Sequence, residues 1–330
     1  MKILKWAAVT ASVLLSLAAS RGASAETVKI TNIGHGYYAG ALYVAMHEKL
    51  FAKYGLEPDV SFVQGGPLAL QAALTKQADV AIVSYEHILT SAVQGRQIVA
   101  FFNIANRPVN NVIASDKLMA GSEKLNVEDK IRRLKGTRVA MPSAGGSGEK
   151  MLGFLATKYG LTLPGDITSV YLGAEAPSYV AAFQRDIIDA ALPFEPAGVL
   201  VQQGGAGKIY LNVMNGEVPE LRDILFMVLA THPDNIKEKP ELLRKVAQVF
   251  ADAAKILKND PARGKADMAL EYATMTPQTN DQAYDIVSKI WSADGRMSEA
   301  QARATFAYLQ PKGPQQVNFP STFTNEFLPK

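Results

Sequence analysis

Residues 138–192 decide the fold: Arg138-Val139-Ala140, then Gly145-Gly146-Ser147-Gly148, then a helical stretch ending in Lys158-Tyr159-Gly160-Leu161. A strand-like run follows, Ser169-Val170-Tyr171-Leu172, then Gly173, a second helical stretch, and Asp189-Ala190-Ala191-Leu192. The same order occurs earlier in the chain. Val28-Lys29-Ile30 leads into a loop with Gly34, Gly36 and Gly40, and a helical stretch closes on Lys53-Tyr54-Gly55-Leu56. Val60-Ser61-Phe62-Val63 then precedes Gly65-Gly66, more helix, and Asp79-Val80-Ala81-Ile82-Val83-Ser84. Short apolar runs alternating with segments of helical period argue for parallel strands joined by helices. Two copies predict two similar α/β lobes, each a mostly parallel sheet flanked by helices. Loops at the carboxyl ends of the strands then face a shared cleft, a place to hold a small molecule.

Working outward, residues 42–54 and 67–78 carry helical spacing, with Gly55 as a left-handed cap and Pro67 in a first turn. Asn103, Asn106, Arg107, Pro108, Asn110 and Asn111 interrupt the apolar pattern and mark the first crossing between lobes. Lobe 1 is assigned residues 26–107 and 231–330, and lobe 2 residues 108–230, including the apolar run 224–230. Residues 121–134 read as a polar connection with a short helix. Helical patterns at 242–257, 261–272, 281–291 and 298–309 are expected to pack on lobe 1. The tail from residue 311 is expected to wrap over the surface, anchored by Phe319, Phe323 and Phe327.

Lys2 and Lys5 precede an apolar run from Trp6 to Ala19, and Ala23-Ser24-Ala25 precedes Glu26. Residues 1–25 therefore read as a secretory signal peptide, with an apolar stretch too short to span a bilayer. Without Lys2, Lys5 and Arg21 the chain has 34 − 3 = 31 basic residues against 31 acidic ones. That balance argues against a nucleic-acid partner, which calls for basic excess. The absence of cysteine excludes a disulfide framework and a thiol for lipid attachment. The expected product is a monomer, soluble in the periplasm, with no cofactor.

The strand tips carry the candidate site. In lobe 1 these are His35, Tyr37 and Tyr38 after the first strand, Gln64 and Gly65 after the second, and Ser84 and Tyr85 after the third. In lobe 2 they are Ser143, Gly145, Gly146 and Ser147, then Gly173, then Glu195. Glycines let backbone N–H groups approach a ligand, and a glycine loop opening a helix favours an anion. The same loops also serve as plain caps and tight turns. Tyr37 and Tyr38 suit either an aromatic wall or the core. His35 suits an anion donor, a pH sensor or an idle loop position. Arg107, and with it Asn103 at the crossing, is placed to balance an anion or to sit on the surface. Glu195 suits an acceptor for a ligand ammonium or amide, a helix cap or a hinge strut.

Enzyme chemistry finds little support. His35, His47, His87 and His232 show no zinc spacing, and His47-Glu48 lacks the second histidine of a zinc motif. No Gly-x-Ser-x-Gly elbow occurs. Asp79 and Asp189 fall at the same place in both copies and read as a structural signature, not a catalytic pair.

Several stretches together resemble the nitrate/sulfonate/taurine-type periplasmic binding proteins of ABC importers, a family that includes thiamine-pyrimidine-binding members. These are residues 41–45, 50–56, 64–66 with Ala69-Leu70, and 78–82, then Arg107-Pro108, residues 134–140 and Phe194-Glu195-Pro196. Phe194 stands where the family usually has tryptophan. The resemblance implies a two-lobed type II periplasmic-binding-protein fold that closes on a small solute and delivers it to an ABC permease. Sulfonates, aromatic carboxylates, nitrate and pyrimidines remain open as solutes, with the tyrosines favouring an organic one. A solute sensor for a membrane receptor is the first alternative. An enzyme of the same fold is the second: the pyrimidine-synthesis proteins carry a cysteine motif this chain lacks, and the menaquinone-pathway proteins are cytoplasmic.

Overall fold

Two aspartates, Asp79 and Asp189, tie the repeat together. In a computed structural model that describes residues 25–309 and 316–330, each aspartate immediately precedes the third strand of its copy and clasps the first. The Asp79 carboxylate accepts from the Lys29 N–H at 3.0 Å while the Asp79 N–H donates to the Lys29 carbonyl at 2.9 Å. Asp189 repeats both bonds with Arg138, each at 2.9 Å, and adds the Arg138 guanidinium at 3.0 Å. This clasp holds the register of the first and third parallel strands of each copy.

The strands are β1 (Glu26–Asn32), β2 (Leu56–Phe62), β3 (Val80–Ser84), β4 (Val99–Ala105) and β5 (Val112–Ala114). They continue as β6 (Arg138–Met141), β7 (Thr168–Tyr171), β8 (Ala190–Ala191), β9 (Lys208–Leu211) and β10 (Met227–Thr231). One sheet runs β2-β1-β3-β10-β4 and the other β7-β6-β8-β5-β9. Both place a single reversed strand, β10 or β5, in fourth position between strands that run the other way. β3, β4 and β10 are buried along their whole length, which is why they read as unbroken apolar runs.

The run 224–230 does not belong to the second lobe, as the sequence suggested. Its residues from Met227 onward form β10, which pairs antiparallel with β3 and β4 of the first sheet. An apolar run records that a strand is buried, not which sheet buries it; the slot between β3 and β4 takes this one. The chain therefore returns to the first sheet before residue 231.

Helix limits also shift for local reasons. The helical pattern 42–54 breaks into Gly40–His47 and Leu50–Lys53, because Lys49 adopts φ 54° and turns Leu50 and Phe51 back into the core. The third C-terminal helix begins at Pro277, not Asp281, since the Thr276 hydroxyl caps it by accepting from the Thr279 N–H. Helix Pro240–Asn259 packs on Gly40–His47 and β4, as expected. Helix Glu299–Leu309 instead lies against both Tyr85–Val93 of the first lobe and Ser147–Lys158 of the second. In the described part of the tail, Phe319 and Phe327 are buried, and Phe323 bridges to Ala100 of β4. The expected leader lies outside the described residues except for Ala25. Among the described residues, no helix is long and apolar enough to cross a membrane.

Removing either clasp takes a charged acceptor from a strand amide. Asp79→Ala and Asp189→Ala are each expected to lower the unfolding free energy by about 1–3 kcal/mol. Urea melts that superimpose on the wild type would show that the aspartates do not hold the strands.

Candidate functional site

Crossover connections force helices to start where parallel strands end, so each lobe directs helix N-termini and loops toward its carboxyl edge. The two edges meet. The Tyr37 N–H donates to the Glu195 carbonyl at 2.9 Å, and the Tyr38 and Phe194 rings lie 4.9 Å apart. A Cβ built on Gly34 would sit 2.9 Å from the Ala174 Cβ, and one on Gly65 only 2.2 Å from the Ser143 Oγ. Gly65 also has φ 95°, so no other residue fits this closed contact without strain.

A small buried space remains between the edges. Ile33, Gly65, Gly66, Ser84 and His87 line it from the first lobe. Pro142, Ser143, Gly146, Ser147, Gly148 and Phe194 line it from the second. It holds about 10 Å³ for the centre of a water-sized sphere, room for roughly one water. A larger guest therefore requires the edges to move apart.

Three helices start at this space: Gly66–Leu74 after Gly65, Tyr85–Val93 after Ser84, and Ser147–Lys158 after Gly146. None has a side-chain cap. The first amide of Tyr85–Val93 is taken by the Phe226 carbonyl at 2.6 Å. Aligned peptide dipoles and uncapped N–H groups from both lobes make the space favourable for negative charge, and no carboxylate lines it.

The structure sorts the expected site residues. Gly65, Ser84, Ser143, Gly146 and Ser147 come together at the space. Tyr37 and Tyr38 are buried, with their hydroxyls spent on Asn280 and on Asn32 and Gly34. Tyr85 is spent on Thr322 of the tail, and Asn103 donates to the Arg296 carbonyl. Arg107 braces the crossing by donating to the Arg222 and Met214 carbonyls at 3.0 and 3.1 Å. His35 is half exposed and stacks on Phe62, away from the space. Gln64 and Gly145 are exposed, and Gly173 turns with φ 75° while its carbonyl accepts from Tyr179. Among the described residues, no group of three or more His, Cys, Asp or Glu is placed to hold a metal.

Sequence reasoning missed the most polar part of the site. His87 is buried on the first lobe, next to Glu86, whose carboxylate accepts from the Tyr308 hydroxyl at 2.8 Å. Lys150 reaches across from the second lobe, with Nζ 3.0 Å from His87 Nδ1 and 3.9 Å from Glu86 Oε1. Desolvation pushes the Glu86 carboxyl up, and it pushes Lys150 and His87 down, His87 strongly. The one sequence signal was position: His87 and Lys150 both fall in the first turn of a helix that follows a strand-tip loop.

Comparison with known proteins accords with this geometry. The model of the family described as NMT1/THI5 like matches residues 36–263. The chain belongs to the NMT1/THI5-like family. Among relatives of this NMT1/THI5-like protein, a Brucella abortus protein that carries only the provisional name of binding protein is 22% identical over 260 residues, covering 79% of this chain and 70% of the relative. A solved structure from Bordetella bronchiseptica RB50 superposes with TM-score 0.79 at 23% identity, covering 91% of this chain and 95% of the other. The alkanesulfonate-binding protein SsuA of Xanthomonas axonopodis pv. citri, bound to MOPS, gives TM-score 0.70 at 16% identity, with coverage of 90% and 98%. The periplasmic nitrate-binding protein NrtA of Synechocystis PCC 6803 gives TM-score 0.62 at 13% identity, with coverage of 78% and 69%. The fold is thus the two-lobed periplasmic-binding-protein fold that the sequence led one to expect.

Glu195 of this NMT1/THI5-like chain serves the scaffold. Its carboxylate accepts from the Val199 N–H at 3.0 Å and caps the helix Ala197–Gln203, and it does not line the space. Burial raises it from 4.5 to about 7, against the pull of the Val199 and Gly198 amides. Between those two values the folded protein holds a proton that the unfolded chain has released. The contribution is complete below 4.5 and is lost as pH rises toward about 7, a span of about 3 kcal/mol. Glu195→Gln is expected to flatten the stability–pH curve in this window, measured by urea melts from pH 5 to pH 8. A variant whose curve keeps the wild-type slope would show that Glu195 does not carry it.

Proposed function

We propose that this chain is the periplasmic solute-binding component of an ABC importer. It captures a small organic solute with an acidic group and presents it to the membrane-spanning subunits. The observation that carries this is the convergence of three helix starts without side-chain caps, from both lobes, on one buried space with no carboxylate in its lining. Such a space rewards an oxyanion and penalises a cation. Ile33, Pro142 and Phe194 line the same space and offer contact to a carbon frame, which favours an organic acid over a bare inorganic ion. The alkanesulfonate and nitrate named for two structural neighbours support an oxyanion.

Closure supplies the mechanism. Ligand touching both edges favours the closed form over the open one, and only contacts made to both lobes contribute to that shift. Micromolar capture requires about −8 kcal/mol. Helix-start amides, a charge-assisted bond and an aromatic contact are sufficient in kind for that figure. One chain furnishes both edges, so a monomer is complete.

The test is a thermal-shift screen of the mature chain with ethanesulfonate, benzoate, nitrate and a hydroxymethylpyrimidine. A solute at about one hundred times its dissociation constant adds roughly 2.7 kcal/mol. Ethanesulfonate or benzoate is expected to raise the melting temperature and to contract the small-angle scattering profile. Stabilisation by the pyrimidine alone would remove the acidic solute, and an unchanged profile at saturation would remove hinge closure.

A further inference from the structure

His87 presents a problem that the closed structure does not solve by itself. The side chain is nearly inaccessible to solvent and its Nε2 has no partner. That nitrogen lies beside Gly66, where a Cβ would come within 2.0 Å of it, on the wall of the buried space. Its other nitrogen, Nδ1, faces the Lys150 ammonium at 3.0 Å. An ammonium has only hydrogens to give, so Nδ1 must be the accepting nitrogen and the ring proton must sit on Nε2. The result is a buried N–H aimed at the start of helix Gly66–Leu74, with the Glu86 Oε1 at 4.0 Å standing too far off to receive it. A buried donor left unpaired costs about 1–3 kcal/mol, a cost that a guest accepting the bond would remove.

We propose that His87 is a ligand-binding donor whose Nε2–H donates to an unprotonated oxygen of the solute's acidic group, and that Lys150 is the positioning residue that fixes this tautomer as the lobes close. The inference rests on the solute-binding function proposed above and names the group that reads the solute. Lys150 belongs to the second lobe, whereas His87, Glu86 and the Tyr308 hydroxyl that holds Glu86 meet it from the other side. The link between Lys150 and His87 exists only while the two edges touch. Tyr308, Glu86, Lys150 and His87 thus form one relay that ends at the solute. Burial favours neutral imidazole, so the donor is a fixed N–H and not a titrating cation. Neutral His87, with the helix-start amides, donates to a carboxylate or sulfonate oxygen and offers nothing to a solute that must donate at this point.

The experiment uses the full mature chain labelled with nitrogen-15, titrated with benzoate and with ethanesulfonate. Long-range proton–nitrogen spectra report which nitrogen of each of the four histidines carries the proton, and His87→Gln assigns the signal. With the acid bound, His87 is expected to show a protonated Nε2 and a bare Nδ1. By calorimetry, His87→Ala and Lys150→Met are each expected to weaken binding about 10- to 100-fold. His87→Gln, which keeps an N–H, is expected to recover part of the loss. Lys150→Met is also expected to abolish the single-tautomer signature, which a purely structural lysine would leave alone. A proton on Nδ1 in the bound wild type overturns the proposal without need of any variant. So does wild-type affinity in His87→Ala, and there the importer function would stand. If nitrate or the pyrimidine binds the wild type and neither acid does, the proposal falls and solute capture survives. If no probe binds the wild type, both fall together.

Discussion

A parallel strand can rejoin its own sheet only through a crossover, and the crossover helix must begin where the preceding strand ends. Everything at the candidate site follows from that constraint applied twice. Each copy of the repeat delivers its helix starts to one edge of its sheet. The reversed strands β5 and β10, which follow the chain's passages between sheets, occupy the same slot in both sheets and leave those edges opposed. The gap between the lobes therefore inherits electropositive peptide ends from both sides, without a single basic residue in its lining apart from His87.

Local features were legible in the sequence and tertiary choices were not. Gly55 and Gly160, the glycines of the repeated Lys-Tyr-Gly-Leu phrase, both take positive φ. Only a small set of residues adopts that conformation cheaply, so the sequence marks it. Gly34, Gly65, Gly145 and Gly173 at the strand tips were legible for the same reason, and Gly65 for its close approach as well. By contrast, β10 was assigned to the wrong lobe because apolar runs do not name their neighbours. Arg107 and Glu195 stood out as charges beside a crossing and a strand end. Each turned out to satisfy backbone groups, Arg107 two carbonyls and Glu195 the start of a short helix. Backbone partners of this kind leave no sequence trace. Lys150 and His87 were invisible as a pair because the fold, not the spacing, brings them together.

The polar relay also explains a choice of residue sizes. Gly66 admits His87, and Gly198 admits the Glu195 carboxylate, whose oxygen would stand 2.6 Å from a Cβ there. In both places a side chain is omitted so that a buried polar group can lie close to main chain. Low dielectric around such groups strengthens every bond they make and penalises every bond they lack. A site built this way is intolerant of small changes that a surface would absorb.

Helix Glu299–Leu309 touches both lobes, and Tyr308 does so with a single ring. Its hydroxyl reaches Glu86 on one side, while its edge meets Phe154 on the other, with centroids 5.4 Å apart at 82°. An edge-to-face aromatic pair adds about 0.5–1.5 kcal/mol beyond the area it buries. Tyr308 is thus a rivet of two kinds, polar toward one lobe and apolar toward the other, so its loss would loosen both faces at once.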